Sequence, residues 1–325
     1  MARGSLRLAR WVAAGAALAL GLSACGSGNI TTTKSASGKS CGDFNIAMNA
    51  WTGYYADGYV VGELAKKKLG CNVKYVKLAE EPSWNAMANG TVDTILENWG
   101  HEDLVKKFID QQHTVQDAGM TGNQGIIGWY VPPWMAQKYP DITNWKNLNK
   151  YSNLFKTSES GGKGQLLDGD PSYVTNDQAL VKNLHLNYKV VVGGSEAALI
   201  QSFRSAEKNH TPLLAYFYEP QWFFSEVHLV HVNLPKYSPN PKVCPTAPSQ
   251  IRCDYPPYHL NKLVSTKFAK SGSPAYTLVK NFHWTNADQN QVAEYIAKDG
   301  MSGPAAADKW IAANQDLVKQ WLQGT

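Results

Sequence analysis

Apolar runs with two different periods alternate from Phe44 onward, and this alternation constrains the fold more than any other feature of the chain. "FNIAMNA" alternates as a strand does, and "GYVVGELAKKKLG" follows with the apolar face and terminal glycine of a helix. A strand, a short helix with Ser83 as N-cap and a third strand come next, as "CNVKYVKL", "SWNAMANG" and "TVDTILEN". This β-α-β-α-β order predicts a parallel α/β sheet.

The same alternation returns later in the chain. It resumes at "GIIGWYVP", continues through the helix "SEAALIQSFRSAEKN" and ends with the strand "PLLAYFY". About 300 residues exceed what one hydrophobic core usually holds. We therefore predict two α/β lobes, with residues 44–124 and 228–325 forming the first lobe and residues 125–227 the second.

Aromatic residues are concentrated where the predicted strands end. The sequence has 11 Trp and 16 Tyr, and Trp51, Trp99, Tyr173 and Tyr218 each stand near a Gly or Pro at the end of a strand or in a turn. Ligands of α/β sheets bind outside the carboxyl ends of the strands. Packing is the ordinary role of one such ring. A cluster of rings instead favours a box for a quaternary ammonium group, since each cation–π contact is worth roughly 0.5–2 kcal/mol.

Motifs typical of enzymes, metal sites and nucleic-acid binding are incomplete or absent in the sequence. "GGSEA" lacks the last glycine of G-x-S-x-G, and "SGGKG" matches neither a P-loop nor a dinucleotide fingerprint. The histidines are scattered, so no metal site or cofactor is predicted. Residues 1–24 contain three arginines and no acidic residue, so 28 basic side chains face 26 acidic ones in the remaining chain. This balance does not indicate nucleic-acid binding.

The N-terminus predicts export and lipid attachment. Arg3, Arg7 and Arg10 precede a short apolar segment that ends in Leu-Ser-Ala-Cys25, a pattern similar to a bacterial lipobox. We expect a signal peptide at 1–24, lipidation of Cys25 and a flexible Gly/Ser-rich tether at 25–43. A plain secretory signal is the alternative. The predicted location is the extracytoplasmic face of the cell membrane.

Four further cysteines predict two disulfides in an exported chain. Cys244 and Cys253 enclose a short Pro-rich loop, so we pair them, which leaves Cys41 with Cys71. Two other connectivities are compatible with the sequence.

The segments "GTVDTILENWGH", "GDPSYVTN" and "YFYEPQW" occur in an order that resembles the substrate-binding lipoproteins of ABC importers for glycine betaine, proline betaine and choline. The resemblance runs from about Phe44 to the C-terminus. It implies a two-lobed fold of the periplasmic-binding-protein type with a hinge and a cleft between the lobes. It also implies an aromatic cage of Trp99, Tyr173 and Tyr218, with Trp51 added as in choline-type members. The implied protein is a monomeric receptor without catalytic activity that delivers its ligand to an ABC permease.

Four more residues are candidates for the pocket. Strand alternation places Glu97 on the same face as Trp99, while Glu219 faces away from Tyr218. A carboxylate in the pocket would favour cationic choline over betaine, whose own carboxylate it would repel. Betaine would instead need donors, such as backbone N–H groups from Tyr173 to Thr175. His101 is a candidate for the rim.

Three other functions remain open at this point. The aromatics could merely stack in a receptor for a polyamine, another small amine or an amino acid. A lipid-anchored enzyme acting on choline or betaine compounds is a second alternative, and a structural envelope lipoprotein is a third.

Overall fold

The computed structural model of this chain describes residues 41–325. The predicted signal peptide, the lipidation residue Cys25 and residues 25–40 of the predicted tether lie outside the described residues. Among the described helices, none combines the length and apolar character needed to cross a membrane.

The described chain is organised around nine strands, eight of which form one hydrogen-bonded path. In chain order they are β1 Asp43–Met48, β2 Asn72–Lys77, β3 Thr94–Asn98, β4 Val115–Val131, β5 Gly164–Asp168, β6 Tyr188–Val192, β7 Ala215–Glu219, β8 Val230–Val232 and β9 Tyr258–Ser265. Their order across the sheet is β2-β1-β3-β9-β4-β7-β5-β6, and β8 also pairs with β4. The predicted parallel pairs β1–β2 and β1–β3 are present, whereas β9 runs antiparallel between β3 and β4.

The long strand β4 belongs to both halves of the molecule. Its first part, up to Gly125, pairs with β9, and its second part, from Ile126, pairs with β7 and β8. We call β1, β2, β3 and β9 with their helices the first lobe, and β5 to β8 with theirs the second lobe. The lobe boundaries derived from the sequence, at 124 and 227, stay a prediction.

Helices cover both parts of the sheet. They are α1 Thr52–Leu69, α2 Glu80–Ala88, α3 Glu102–Leu104, α4 Pro133–Lys138, α5 Leu148–Tyr151, α6 Asp177–Asn183, α7 Glu196–Asn209, α8 Thr266–Ala269, α9 Pro274–Asn281, α10 Asn286–Ala297, α11 Gly303–Ala313 and α12 Gln315–Trp321. Residues Val105–Gln111 continue α3 as a π-helix. Short 3₁₀ turns lie at Pro140–Thr143, Trp145–Asn147, Ser152–Phe155, Trp222–Ser225 and Pro248–Gln250.

Helix α1 shows how the sequence sets the ends of an element. It ends at Leu69, and the capping residue Gly70 has a left-handed φ of 70° and donates its N–H to the Ala65 carbonyl. Three lysines in the last turn complement the negative end of the helix dipole. At the other end Trp51 is the N-cap, so the residue that starts α1 is also one of the predicted cage residues.

Both predicted disulfides are formed. Cys41 is bonded to Cys71 and Cys244 to Cys253, which is the pairing favoured by the sequence. The first bridge ties the start of β1 to the start of β2, and the second closes the Pro-rich loop of the second half of the chain. The core between sheet and helices is rich in fully buried aromatic rings, among them Trp84, Trp129 and Trp310.

Candidate functional site

Five aromatic side chains from both lobes surround one small cavity. Trp51 follows β1, and Trp99 follows β3, so both stand at the ends of strands in the first lobe. Tyr173 lies in the turn after β5, and Tyr216 and Tyr218 lie two residues apart on β7, which places both on one face of the strand. The structure thus brings the four cage residues predicted from the sequence together and adds Tyr216.

The rings meet edge to face. Ring centroids are 5.8 Å apart for Trp51 and Tyr173, 5.7 Å for Trp99 and Tyr218, and 5.9 Å for Tyr173 and Tyr218, with interplanar angles of 77–87°. The cavity that they enclose has a volume of about 20 Å³, enough for roughly one water molecule. A trimethylammonium group is larger than this, so binding it requires the rings or the lobes to move apart and close again.

Two glycines position the Trp99 indole. Gly100 has a φ of 87°, a left-handed conformation that turns the chain directly after Trp99. Gly125 on β4 lies under the ring, and a Cβ atom at that position would approach the indole to 2.6 Å. Tyr258 packs on the indole at a centroid distance of 5.9 Å. The indole therefore lies against bare backbone on one side and faces the cavity on the other.

Glu97 fixes both cage tryptophans through their indole N–H groups. Its Oε1 accepts hydrogen bonds from Trp99 Nε1 at 2.6 Å and from Trp51 Nε1 at 3.2 Å, and its Oε2 accepts one from Gln289 at 2.7 Å. The side chain is 1% exposed and is not among the residues that line the cavity. Alternation correctly placed Glu97 on the face of Trp99, and the structure shows that it touches the nitrogen edge of the ring.

A second buried acid lies beside Glu97. Gln289 bridges the two carboxyl groups by donating to Asp57 at 3.2 Å as well as to Glu97. Burial, followed by the negative charge of Glu97, raises the pKa of Asp57 well above its usual range. Burial also raises the pKa of Glu97, against the N–H groups that donate to it. We therefore assign the shared proton to Asp57 and the negative charge to Glu97.

In the part of the chain that the structure describes, Glu80 is the one acidic side chain that lines the cavity, and sequence reasoning missed it. It is the first residue of α2 and is 2% exposed. Its Oε1 accepts a hydrogen bond from the backbone N–H of Trp99 at 3.3 Å, and its Oε2 lies 3.1 Å from His101 Nε2. Burial opposes the charged form of His101, but Glu80 and the neighbouring acids Asp103 and Glu81 outweigh it and raise the pKa of the imidazole.

The other predicted candidates lie around the cage. His101 and Thr175 line an outer groove of about 390 Å³ that also reaches Tyr173. Thr175 donates from its hydroxyl to Asp168 at 2.9 Å, and the backbone N–H of Tyr173 donates to the Asp170 carbonyl, so both groups already have partners in the turn. Glu219 faces a different groove, beside Tyr130 and His231.

A further acid, Glu196, accepts a hydrogen bond from the Tyr218 hydroxyl at 2.8 Å. It was also missed, and neither it nor Glu80 carries a local sequence signal for the site. Tyr216 does carry one, because period-two alternation places it beside Tyr218. Within residues 41–325, the His, Cys, Asp and Glu side chains form no group suited to hold a metal ion.

Comparison with known proteins gives a family match over most of the chain. The family model described as the substrate binding domain of ABC-type glycine betaine transport system, OpuAC, matches residues 42–313. A trimethylamine N-oxide-binding protein of Pelagibacter ubique is 25% identical over 291 residues, which cover 84% of this chain and 88% of that protein.

Solved structures show the same fold. A choline-binding protein of an ABC transporter, in complex with choline, superposes with a TM-score of 0.71 at 17% identity, over 88% of this chain and 93% of the other. Lactococcal OpuAC in its closed conformation with glycine betaine gives a TM-score of 0.64 at 21% identity, over 86% and 99%. These matches confirm the predicted two-lobed binding-protein fold.

Proposed function

The chain belongs to the family of substrate-binding domains of ABC-type glycine betaine transport systems, and on that premise we propose that it holds a small methylated ammonium compound between Trp51, Trp99, Tyr173, Tyr216 and Tyr218. As a member of this family it is a solute receptor and not an enzyme. The relatives named above are described as binding trimethylamine N-oxide, choline or glycine betaine, which supports a ligand of this class.

The observation that carries the proposal is the composition of the cavity wall. Five aromatic rings, two aliphatic side chains and Glu80 line it. A quaternary ammonium group has no N–H to donate, so it is held by ring faces and by burial of its methyl groups. Cation–π contacts contribute roughly 0.5–2 kcal/mol each when desolvated. Several of them with methyl burial approach the ~8 kcal/mol of micromolar binding.

We propose the remaining features on the same premise. A lipid on Cys25 would anchor a monomer on the extracytoplasmic face of the membrane, and the tether would hold the folded body clear of it. The two lobes, 44–124 with 228–325 and 125–227, would close over the ligand by a hinge motion and present the closed form to an ABC permease.

A thermal-shift panel with matched ligand pairs tests this function. Choline is compared with ethanolamine, and glycine betaine with glycine, so that only the N-methyl groups differ within a pair. A ligand at 100 times its Kd stabilises the folded state by about 2.7 kcal/mol. We expect shifts with methylated members only. A panel of trimethylamine N-oxide, carnitine and proline betaine extends the test, and the absence of a shift with every methylated amine would exclude the proposed function. A shift with spermidine or ethanolamine instead would indicate a receptor for other amines.

Replacing Glu80 with glutamine is expected to reduce choline affinity by roughly ten-fold while reducing glycine betaine affinity less. Among the described residues, the cavity wall contains no Lys, Arg or His side chain, so Glu80 supplies its only formal charge. A ten-fold loss of choline affinity corresponds to about 1.4 kcal/mol. This is the attraction that the Glu80 carboxylate exerts on a cationic ligand, and a ligand with its own carboxylate does not gain it. Calorimetry with both ligands measures it. Glu81→Gln, which changes the exposed neighbour, should leave the ratio of affinities unchanged.

Choline affinity is expected to rise several-fold as pH increases through the pKa of His101, which lies above the ordinary histidine value of about 6.5. Because its pKa is raised, His101 stays protonated to a higher pH than an ordinary histidine. The imidazolium lies beside Glu80 and offsets the negative charge of that carboxylate. A cationic ligand disfavours the imidazolium, so binding releases its proton and strengthens as pH rises through the pKa of His101. Calorimetry across this range measures the slope. A His101→Gln variant should bind with little pH dependence, and an equally steep slope in that variant would assign the effect to another group.

A further inference from the structure

One carboxylate connects the two lobes beside the cage. Glu196 is the first residue of α7, which packs on β7 in the second lobe. Its Oε2 accepts a hydrogen bond from the backbone N–H of Thr52 at 2.9 Å, and its Oε1 accepts one from the Thr52 hydroxyl at 2.7 Å. Thr52 is the first residue of α1, which packs on the strands of the first lobe. The side chain of Glu196 is only 5% exposed in this arrangement.

The start of α1 depends on this contact because its own sequence provides no cap. The first N–H groups of a helix have no partner within the helix and are usually capped by a nearby side-chain oxygen. Ser195 caps α7 and Thr285 caps α10 in this way. The N-cap of α1 is Trp51, whose indole offers no acceptor, and the first turn from Thr52 to Tyr55 carries no acidic residue. A carboxylate at this end also complements the positive end of the helix dipole.

The same carboxylate also contacts one ring of the cage. Besides Thr52, it accepts a hydrogen bond from the Tyr218 hydroxyl at 2.8 Å. Thr52 directly follows Trp51, so Glu196 joins the chain segment of one cage wall to the side chain of another. A second contact crosses at the same place, where the Tyr173 hydroxyl donates to the Ala50 carbonyl at 3.4 Å.

We propose that Glu196 is an interlobe latch: closure over a ligand brings the uncapped start of α1 onto this carboxylate, which stabilises the closed form and fixes Tyr218 against the ligand. The inference rests on the proposed function for its ligand but not for the contact itself. Glu196 acts through Thr52 and Tyr218 and is a positioning residue, since it does not line the cavity.

The burial of Glu196 has a cost that opposes the latch. Burial raises the pKa of its carboxyl group, and the donors from Thr52, Tyr218 and Gln221 lower it again. In an open form water would solvate the carboxylate, and closure exchanges that water for the Thr52 donors. Whether the Glu196 carboxylate strengthens or weakens ligand binding overall is therefore a measurable test of the proposal.

The experiment compares Glu196→Ala, Glu196→Gln and Thr52→Val with the wild-type full chain. Choline and glycine betaine are the probes, and calorimetry gives their Kd. We expect Glu196→Ala to weaken binding by ten-fold or more, with smaller losses in the other two variants. The effects of Glu196→Gln and Thr52→Val should be non-additive in the double variant, because the two residues form one contact. Thr52→Val changes only a half-buried hydroxyl, so it keeps the test open if Glu196→Ala does not fold. Glu226→Ala is the matched control, since Glu226 pairs with Arg204 in the same lobe, and it should bind like wild type.

Small-angle scattering separates the latch from the ligand assignment. Each protein is measured with and without ligand, and the radius of gyration reports closure. Wild type should be more compact than Glu196→Ala in at least one of these states. Equal compactness together with unchanged affinity would overturn the latch, and so would tighter binding by Glu196→Ala. Weaker binding with unchanged compactness would show that Glu196 only positions Tyr218, and this result would also overturn the latch. If wild type bound no methylated amine, the proposed function would fail, while the ligand-free scattering would still decide the latch.

Discussion

A Trp99→Ala variant is expected to lose at least 100-fold in affinity for the methylated amine that the wild-type protein binds. The indole forms one wall of the cavity and lies edge to face with Tyr218. Its removal deletes a cation–π contact of roughly 0.5–2 kcal/mol and the apolar surface that covers the ligand methyl groups, at about 0.8 kcal/mol per buried carbon. It also leaves Tyr218 and Tyr258 without the ring against which they pack. Together these losses exceed the ~2.7 kcal/mol of a 100-fold change, which calorimetry measures directly.

Two further variants make this result specific. Trp99→Phe keeps an aromatic face but loses the N–H that donates to Glu97, so we expect an intermediate affinity. Trp134→Ala removes a half-buried tryptophan, whose ring packs on His210 in the second lobe, and should bind with wild-type affinity. Unchanged binding by Trp99→Ala, with a fold intact by circular dichroism, would remove the cage from the mechanism.

Strands and helices that follow a clear period were predictable from the sequence. The helix predicted at "SEAALIQSFRSAEKN" matches α7, with Ser195 as its N-cap. Strand β9 was not predicted. The first part of β4 was also missed, because its sequence "VQDAGMTGNQ" is polar and rich in glycine. In the structure this segment pairs antiparallel with β9, with buried and exposed positions mixed along it. An antiparallel pair with one solvated face tolerates such residues, whereas a fully buried parallel strand does not.

The aromatic part of the site was predictable for a physical reason. Rings at the ends of neighbouring strands lie near one another once the sheet forms, so the proximity of Trp51 and Trp99 follows from the pairing of β1 with β3. Tyr218 lies on β7, three strands beyond β3 in the sheet, and its place in the cage was implied by the family resemblance. The acids were not predictable in this way. The helix "SWNAMANG" was predicted to begin after Ser83 as N-cap, but α2 begins at Glu80, and Ser83 lies inside it and donates to the Ala79 carbonyl. Because the predicted helix began one turn too late, Glu80 fell outside it and was not recognised as the acidic residue of the cavity.

Glu196 illustrates a second limit of the sequence. From the local sequence, Glu196 is an ordinary acidic residue in the first turn of a helix, where its negative charge complements the positive end of the α7 dipole. Its partner Thr52 lies 144 positions away in the chain, and no local pattern connects the two. The role of Glu97 was likewise only half predictable, since alternation gives the face of a strand but not the atom that a long side chain reaches.

Removing the Glu97 carboxylate is expected to affect stability and binding together. In Glu97→Ala the N–H groups of Trp51 and Trp99 lose their buried acceptor, and each unsatisfied donor costs about 1–3 kcal/mol. We expect the free energy of unfolding to fall by roughly 2–4 kcal/mol, since the variant no longer buries the Glu97 charge, whose desolvation cost offsets part of this loss. Without a common acceptor the two indoles are free to rotate, so affinity should fall by roughly 30-fold or more, which is about 2 kcal/mol. Denaturant titration measures the first effect and calorimetry the second.

Two controls separate positioning of the rings from general destabilisation. Glu63 is another buried acid of the first lobe, but it pairs with Lys67 and accepts from Tyr75, away from the cavity. Glu63→Ala should therefore destabilise the protein without weakening its affinity. Asp57→Asn keeps the Glu97 acceptor and should bind within about three-fold of wild type, because the proton that Asp57 holds is replaced by an amide N–H. If Glu63→Ala lowered affinity as much as Glu97→Ala, loss of stability alone would explain both, and Glu97 would have no special role in orienting the cage.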